Sequence, residues 1–324
     1  MRVALLGGGN PYALNLANLL HSLDVEHFGI GRRGPRPAPF WLTPPFYDYH
    51  VMDVIHDWVA LGSLLEKRKP DVVVNFAAQG EGAASFGRDA EWFYRTNTLG
   101  MCQLVEFLSG RSWLRRFVQI STSELYGSVR EPSTEESPLR PTSPYAISKA
   151  AFDLHLEAMG RTSGFPFTII RPSNCYCPGQ QPHRVIPRAL IAALGGPRMT
   201  LNGGGAAEKS YLHAADLSTA ILKVASRDRA NGQTYNVGPK SSVQIRSVVA
   251  MTAEACGKTL DDVAAIGPMR KGEDARYWLD SSKAERELGW APTIELPYGI
   301  QGMAEWAKKF PDFNKTDFRY TLMP

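Results

Sequence analysis

The stretch RVALLGGGNPYALNLANLL, residues 2–20, decides the fold. Its first five residues form a short apolar run that is typical of a buried strand. Residues 12–20 carry apolar side chains at helical spacing, and a glycine-rich turn joins the two segments. A strand, a glycine turn and a helix in this order are the opening unit of a doubly wound α/β sheet.

The same alternation continues along the chain. Strands that alternate with helices pair in parallel through right-handed crossovers, so the sequence predicts an α/β, Rossmann-like doubly wound parallel sheet. Residues 172–187 are rich in Pro, Asn, Gln and Cys, which favours a loop over a site. We therefore expect a larger domain of residues 1–174 plus about 211–240. A smaller interleaved α/β lobe would hold about 175–210 and 241–324. The further strands are predicted at residues 25–30, 49–52, 71–76, 116–120, 167–171 and 234–237.

Composition excludes several classes of function. The 324 residues carry a formal net charge of +4, and the basic residues are scattered, which gives no footprint for nucleic acid or a membrane surface. No apolar run approaches the roughly 20 residues of a membrane span, and Met1 leads into a strand rather than a signal peptide. Cys175-x-Cys177 lacks the second pair of ligands that a metal site needs. We expect a cytoplasmic protein with reduced thiols and no metal.

The first turn has the context of a dinucleotide-binding site, in which a helix N-terminus holds the pyrophosphate. Only Gly7 stands at its expected place, because Asn10 and Ala13 occupy the second and third glycine positions. Asn tolerates left-handed backbone angles better than most residues, and Ala is an accepted third member. A plain strand-to-helix turn is the alternative. The residues predicted to contact the cofactor here are Gly7, Gly9, Asn10, Pro11 and Tyr12.

The end of the second strand bears on which dinucleotide is bound. NAD-specific enzymes usually carry an acidic residue there, whereas this chain has Arg32 and Arg33. Two guanidinium groups suit a 2′-phosphate, so NADP is predicted as the cofactor, with NAD as the alternative. A solvated basic loop is the alternative reading of the two arginines. Asp53, after the next short strand, is expected to accept from the adenine amino group, with a surface carboxylate as the alternative, and Val54 beside it is a further expected cofactor contact.

Two further motifs carry chemistry. Tyr145 and Lys149 are four residues apart and share one face of a predicted helix. A phenol has a pKa of about 10, and lowering it to about 7 takes on the order of 4 kcal/mol, which a nearby ammonium and a positive nicotinamide ring can supply. Thr122, Ser123 and Glu124 follow the predicted strand 116–120, where ligands of open α/β sheets bind. A carboxylate that caps a turn is the alternative for Glu124.

These motifs resemble those of the extended short-chain dehydrogenase/reductases that process nucleotide sugars, the epimerase/dehydratase family. Matching stretches lie at residues 75–78, 96–97, 121–127, 171–179, 211–216, 235–238, 272–277 and 287–290. The resemblance implies that the smaller lobe binds a nucleotide-diphosphate sugar and that the protein is a homodimer packed through helices around 91–109 and 144–160. It implies further cofactor contacts at Ala77, Ala78, Asn97, Ile120 and Arg171, and substrate contacts at Ser85, Asn174, Arg184, Lys209 and Arg276.

Within this family the resemblance favours a 4,6-dehydratase. Thr122 and Tyr145 would hold the sugar 4-hydroxyl with support from Lys149, hydride would leave C4, and Glu124 would remove the C5 proton. Water would leave from C6, and the hydride would return there. Ser123 departs from the pattern, because the dTDP-glucose enzymes place an aspartic acid there. Other departures are Cys177, His213 and Ala275.

Three alternatives stay open. A nucleotide-sugar C4-epimerase, or a related ketosugar-modifying enzyme, needs Tyr145 and Lys149 but no C5 base, which Glu124 argues against. A UDP-glucuronate decarboxylase shares the Ser-Thr-Ser-Glu stretch but has a charged stretch around its tyrosine that residues 143–152 lack. A non-catalytic dinucleotide sensor would explain the altered glycine turn, but it would need no activated phenol.

Overall fold

The computed structural model describes residues 1–33, 46–269 and 274–320, so residues 272 and 273 of the motif at 272–277 lie outside the described residues. The strands are β1 Arg2–Leu6, β2 Glu26–Gly31, β3 Tyr49–Val51, β4 Val72–Asn75, β5 Arg116–Ile120, β6 Phe167–Pro172, β7 Asn174–Tyr176, β8 Met199–Asn202, β9 Glu208–Lys209, β10 Tyr211–His213, β11 Gln233–Val237, β12 Val243–Gln244, β13 Ala264–Gly267 and β14 Arg276–Tyr277. The α-helices are α1 Pro11–Ser22, α2 Trp58–Arg68, α3 Ala90–Tyr94, α4 Gly100–Leu108, α5 Pro144–Ser163, α6 Val185–Ala193, α7 Ala214–Ser226, α8 Ile245–Glu254, α9 Leu260–Val263, α10 Ser282–Leu288 and α11 Leu296–Lys308.

Seven strands form one parallel sheet in the order β11-β6-β5-β4-β1-β2-β3. The chain builds β1 to β3 outward on one side and then crosses to β4 on the other side of β1. This reversal is the topological switch point, and ligands of such sheets bind at the carboxyl ends of the strands beside it. The predicted Rossmann-like α/β fold is confirmed.

Helices cover both faces of the sheet. One apolar layer includes Leu16 of α1 and Ile221 of α7, and the other includes Leu104 of α4 and Phe152 of α5. Helix α5 begins cleanly because the Ser143 side chain accepts a hydrogen bond from the Ala146 N–H and a proline follows the cap. Its firm start fixes the residues of its first two turns relative to the sheet.

The smaller lobe is built from segments that follow β6 and β11. Its strands form short groups, β12-β9-β14 and β13-β8, and α6, α8 and α11 enclose a separate apolar cluster around Leu190 and Met303. The predicted loop 172–187 contains β7 and the start of α6, so it is more ordered than the composition indicated. Across the described ranges, no helix is both long and apolar enough to cross a membrane.

Candidate active site

A cleft of about 630 Å³ lies at the carboxyl ends of the central strands, where the switch point predicts it. Both the first turn and the catalytic motifs border it. Seventeen of the residues singled out from the sequence line this cleft: Gly7, Gly9, Asn10, Tyr12, Arg32, Arg33, Asp53, Val54, Ala77, Ala78, Ile120, Thr122, Glu124, Tyr145, Lys149, Asn174 and Arg184.

The catalytic motifs converge at one end of the cleft, which we call the reaction end (Thr122, Glu124, Tyr145 and Lys149). The Thr122 side chain hydrogen-bonds the Tyr145 hydroxyl and also accepts from the Glu124 N–H at 3.2 Å. The Lys149 Nζ donates to the carbonyl of Ile120 at 2.7 Å. Two sequence motifs more than twenty residues apart thus form one cluster of proton-transfer groups.

Burial sets the protonation of this cluster. It raises the pKa of Glu124 to about 7, and the positive charges of Arg184 and Lys209 oppose the rise. Burial also raises the pKa of the Tyr145 phenol, with a further rise from Glu124, whereas it lowers the pKa of Lys149 to about 8. The protein's own groups therefore keep the Tyr145 phenol protonated and set the pKa of Glu124 close to neutral pH.

A buried polar chain behind the reaction end was not predicted. Asp153 follows Lys149 by four residues on α5, and its Oδ2 accepts from Ser121 Oγ at 2.9 Å and from Arg171 Nε at 3.0 Å. Arg171 also donates to the hydroxyl of Tyr126 at 3.0 Å. The four-residue spacing after Lys149 was the signal that could have identified Asp153. Arg171 is engaged in this chain and does not line the cleft, and its contact with the cofactor stays a prediction.

A second group of charged and polar side chains lies at the cleft, which Arg184 and His183 line. Arg184 donates to the carbonyl of Gly80 at 2.6 Å, and its other terminal nitrogen lies 3.4 Å from a carboxylate oxygen of Glu81. His183 lies 3.7 Å from the same oxygen, and burial beside Arg184 lowers the pKa of this imidazole to about 4. Glu81 was not predicted, because it stands in no chemical motif.

The first turn is arranged differently from the prediction. Gly7 has φ +67°, and a Cβ there would lie 2.6 Å from the backbone nitrogen of Ala77, so this position requires glycine. Asn10 has φ −71° and ψ 138°, which is extended rather than left-handed. Its side chain accepts from the Tyr12 N–H at 2.9 Å and caps α1. Pro11 has no N–H, and the N–H of Tyr12 is bonded to Asn10. Neither of the first two residues of α1 therefore offers a free backbone donor.

Tyr12 links the first turn to the segment after β7. Its hydroxyl donates to the carbonyl of Cys175 at 3.0 Å and accepts from Gln180 Nε2 at 3.0 Å. Gln180 Nε2 also donates to the Cys175 carbonyl at 2.7 Å, which fixes the orientation of the amide. Farther along the cleft, Arg32 Nε lies 3.7 Å from Asp53 Oδ2.

Several predicted contacts do not line the cleft. Ser85 Oγ donates to the carbonyl of Gly82 and accepts from the Tyr145 N–H. The Asn97 side-chain amide accepts from the Gln79 N–H and donates to the Gln79 carbonyl. These two side chains hold the walls of the cleft rather than its interior. Pro11 is buried at the start of α1, and Ser123 is buried in the turn after Thr122.

Two predicted substrate residues of the smaller lobe also have other partners. Lys209 Nζ donates to the carbonyl of Asp274 at 2.7 Å and lies 3.5 Å from the centre of the Tyr277 ring. Arg276 pairs with Glu208 at 2.7 Å. Neither side chain borders the cleft, and their contact with a substrate stays a prediction.

The end of the described chain reaches the cleft as well. Asp317, Arg319 and Tyr320 line it, and Tyr320 is half-buried. The Tyr320 ring meets the ring of His183 edge-on at 5.2 Å between centroids. No sequence signal pointed to these residues.

Comparison with known proteins agrees with this architecture. A family model described as GDP-mannose 4,6 dehydratase matches residues 45–303. A dTDP-glucose 4,6-dehydratase from Streptomyces griseus is 38% identical over 240 residues, which are 74% of this chain and 72% of the relative.

Solved structures of the same kind superpose closely. A dTDP-glucose 4,6-dehydratase from Streptomyces venezuelae with NAD bound has a TM-score of 0.86 and 29% identity, covering 95% of this chain and 97% of that one. A UDP-glucose 4-epimerase from Thermus thermophilus in complex with NAD has a TM-score of 0.85 and 26% identity, covering 94% and 98%. The chain belongs to the extended short-chain dehydrogenase/reductases, in the nucleotide-sugar dehydratase/epimerase family of enzymes that the motifs predicted.

Proposed function

We propose that this protein is a nucleotide-sugar 4,6-dehydratase that uses a bound nicotinamide dinucleotide. The observation that carries the proposal is the carboxyl of Glu124, which lines the same cleft as Tyr145 and Thr122 and has its pKa raised to about 7. A group with this pKa can accept a proton and return it near neutral pH. An epimerase has no proton to remove at C5 and no use for such a group.

The residues fit a dinucleotide. Gly7 brings the turn against Ala77 with no room for a side chain, and the cleft continues from Gly9 past Arg32 to Lys149. When bound there, the dinucleotide would take a hydride from C4 of the sugar and return it to C6. NADP is our specific proposal, because Arg32 and Arg33 both line the cleft. A preference for NAD in direct titrations would overturn it.

The chain's own groups supply the proton transfers. Tyr145 accepts the proton of the sugar 4-hydroxyl, and Thr122 holds the hydroxyl of Tyr145. Burial keeps the phenol protonated, so ionisation at Tyr145 needs positive charge from the nicotinamide ring and from Lys149, which lines the same cleft. Glu124 removes the C5 proton that the 4-ketone acidifies and gives it to the leaving C6 hydroxyl. Glu124 then takes a proton from solvent and delivers it to C5 as hydride returns to C6, and Tyr145 releases the 4-hydroxyl proton to solvent. Water is the only fragment lost.

Glu124 serves as both base and acid in this scheme, which answers the departure at Ser123. Ser123 is buried beneath the turn and does not line the cleft, so it supplies no acid. The substrate class is a nucleoside-diphosphate hexose with free hydroxyls at C4 and C6. The relatives are named for dTDP- and UDP-sugars, and the family model is named for GDP-mannose. The nucleotide base of the substrate therefore has to be identified by experiment.

Mass measurement after incubation with dTDP-glucose, UDP-glucose and GDP-mannose tests the proposal. Loss of one water from any of them supports it, and an unchanged mass with an altered sugar supports the epimerase. The similarity to the Thermus epimerase makes the epimerase the second candidate. A panel that stays inert with either dinucleotide favours the sensor and overturns the proposal.

A variant separates the chemical steps. Glu124→Gln keeps the shape of the side chain but cannot take a proton, so exchange of the C5 proton with solvent should vanish. The initial hydride transfer, followed as a burst of reduced dinucleotide absorbance, should remain measurable. If C5 exchange survives in the variant, Glu124 is not the base.

We also propose a homodimer packed through α4 and α5. Leu99, beside the start of α4, is 60% exposed, and Leu154 on α5 is 53% exposed. Apolar side chains on neighbouring helices favour an interface with a second copy. Light scattering on the purified protein tests this, and Leu154→Glu should yield a monomer.

A further inference from the structure

The segment Asp317–Tyr320, which we call the strap, crosses the mouth of the cleft between its two banks. The Tyr320 hydroxyl meets Gln79 at 3.5 Å and is hydrogen-bonded by the backbone of Gly80, both of which follow β4 in the larger domain. On the other side its ring packs on His183, which precedes α6 of the smaller lobe. Tyr320 thereby joins both banks.

The strap is anchored outside the cleft. The ring of Phe318 lies 4.3 Å from the guanidinium carbon of Arg188 on α6 and packs against the apolar cluster of the smaller lobe. Phe313, just before it, is buried. These contacts fix the direction of the chain, so that Arg319 and Tyr320 reach over the cleft from a firm base.

The cleft beneath Tyr320 is the part that a dinucleotide has to pass. A cofactor that extends from Arg32 to Tyr145 runs along Gly9 and the residues after β4. At the first turn it finds few donors, since Pro11 has no N–H and that of Tyr12 is taken by Asn10. Yet the proposed reaction returns the hydride within one turnover, so the reduced cofactor must not leave during it.

We propose that the strap closes over the bound dinucleotide and retains it during turnover, with Tyr320 as the residue that makes the contact. This inference rests on the proposed function only in that the cleft holds a nicotinamide dinucleotide. By covering the cofactor with its ring, Tyr320 makes up for the weak hold of a first turn that has few donors. It acts on retention of the cofactor and takes no part in proton transfer.

Dissociation of NADPH and NADH from the full-length protein, followed by fluorescence after mixing with excess ADP-ribose, tests the strap. Tyr320→Ala removes the ring and should raise the dissociation rate about tenfold. Tyr320→Phe keeps the ring on His183 and should stay within about twofold of the unsubstituted protein. Lys315→Ala is the control, because Lys315 lies just before the strap, pairs with Asp312 at the surface and should change nothing.

The outcomes separate the strap from the enzyme function. If Tyr320→Ala releases the cofactor no faster, or binds it more tightly, the strap does not retain the dinucleotide, although the dehydratase proposal stands. If the unsubstituted protein binds neither NADPH nor NADH, the proposed function itself fails. During turnover of an active substrate, the Tyr320→Ala variant should also release reduced dinucleotide, which ultrafiltration would recover in the filtrate. The unsubstituted protein should retain it.

Discussion

The two ends of the cleft contrast sharply. At the reaction end, Tyr145 and Lys149 stand on a well-capped helix, and Thr122 follows a buried strand. At the first turn, Asn10 has replaced a glycine and occupies the helix cap itself. Chemistry depends on a few atoms at fixed positions, whereas binding of a long cofactor is spread over many contacts. The loss of one contact should therefore cost less at the first turn than the loss of Tyr145 at the reaction end.

The largest effect is expected at the reaction end. Tyr145→Phe removes the hydroxyl that takes the proton from the sugar, so kcat should fall by about 10²- to 10⁴-fold. The affinity for dinucleotide, measured by fluorescence titration, should change little, since the ring remains. Activity within about tenfold of the unsubstituted enzyme would mean that another group takes this proton.

The second-largest effect is expected at Gly7, the position of the first turn that holds the expected glycine. Gly7→Ala introduces a side chain at φ +67° and forces its Cβ against the backbone of Ala77. We expect the free energy of unfolding, from urea denaturation, to fall by more than the roughly 1–2 kcal/mol that left-handed strain alone costs. Gly257→Ala is the control, because φ is +70° there and no atom lies within 4 Å of the added Cβ. Equal losses in the two variants would show that the close approach at Gly7 is unimportant.

A pH profile tests the electrostatics of the reaction end. Glu124 must be ionised to take the C5 proton, so kcat/KM should fall as the pH drops below about 7. Glu81 raises the pKa of Glu124, and therefore Glu81→Gln should move this acid limb to lower pH. Arg184 lowers that pKa, so Arg184→Gln should move the limb to higher pH. Shifts in the same direction would contradict the assignment of the limb to Glu124.

The contrast also explains what the sequence could predict. The strand predicted at 116–120 matches β5, and Tyr145 and Lys149 were predicted from their spacing and their position after that strand, because all of these signals lie close together in the chain. Tyr320 could not be found, since it meets Gln79 across 241 residues with no motif at either position. The ion pair between Arg276 and Glu208 could not be predicted either, because 68 positions separate the two residues and neither spacing nor a motif links them.

The smallest effect is expected at Asn10, where capping of α1 can be separated from binding of the dinucleotide. Asn10→Ala removes the cap on the Tyr12 N–H and should lower the free energy of unfolding by about 1 kcal/mol, while freeing that N–H for a phosphate. Asn10→Asp keeps the capping acceptor and should retain stability, but its negative charge should weaken NADPH binding. Urea denaturation and fluorescence titration of both variants give the comparison. If Asn10→Ala weakens binding of the cofactor and leaves the free energy of unfolding unchanged, Asn10 is a ligand of the dinucleotide rather than a helix cap. The turn would then bind the dinucleotide much as a turn with the expected glycines does.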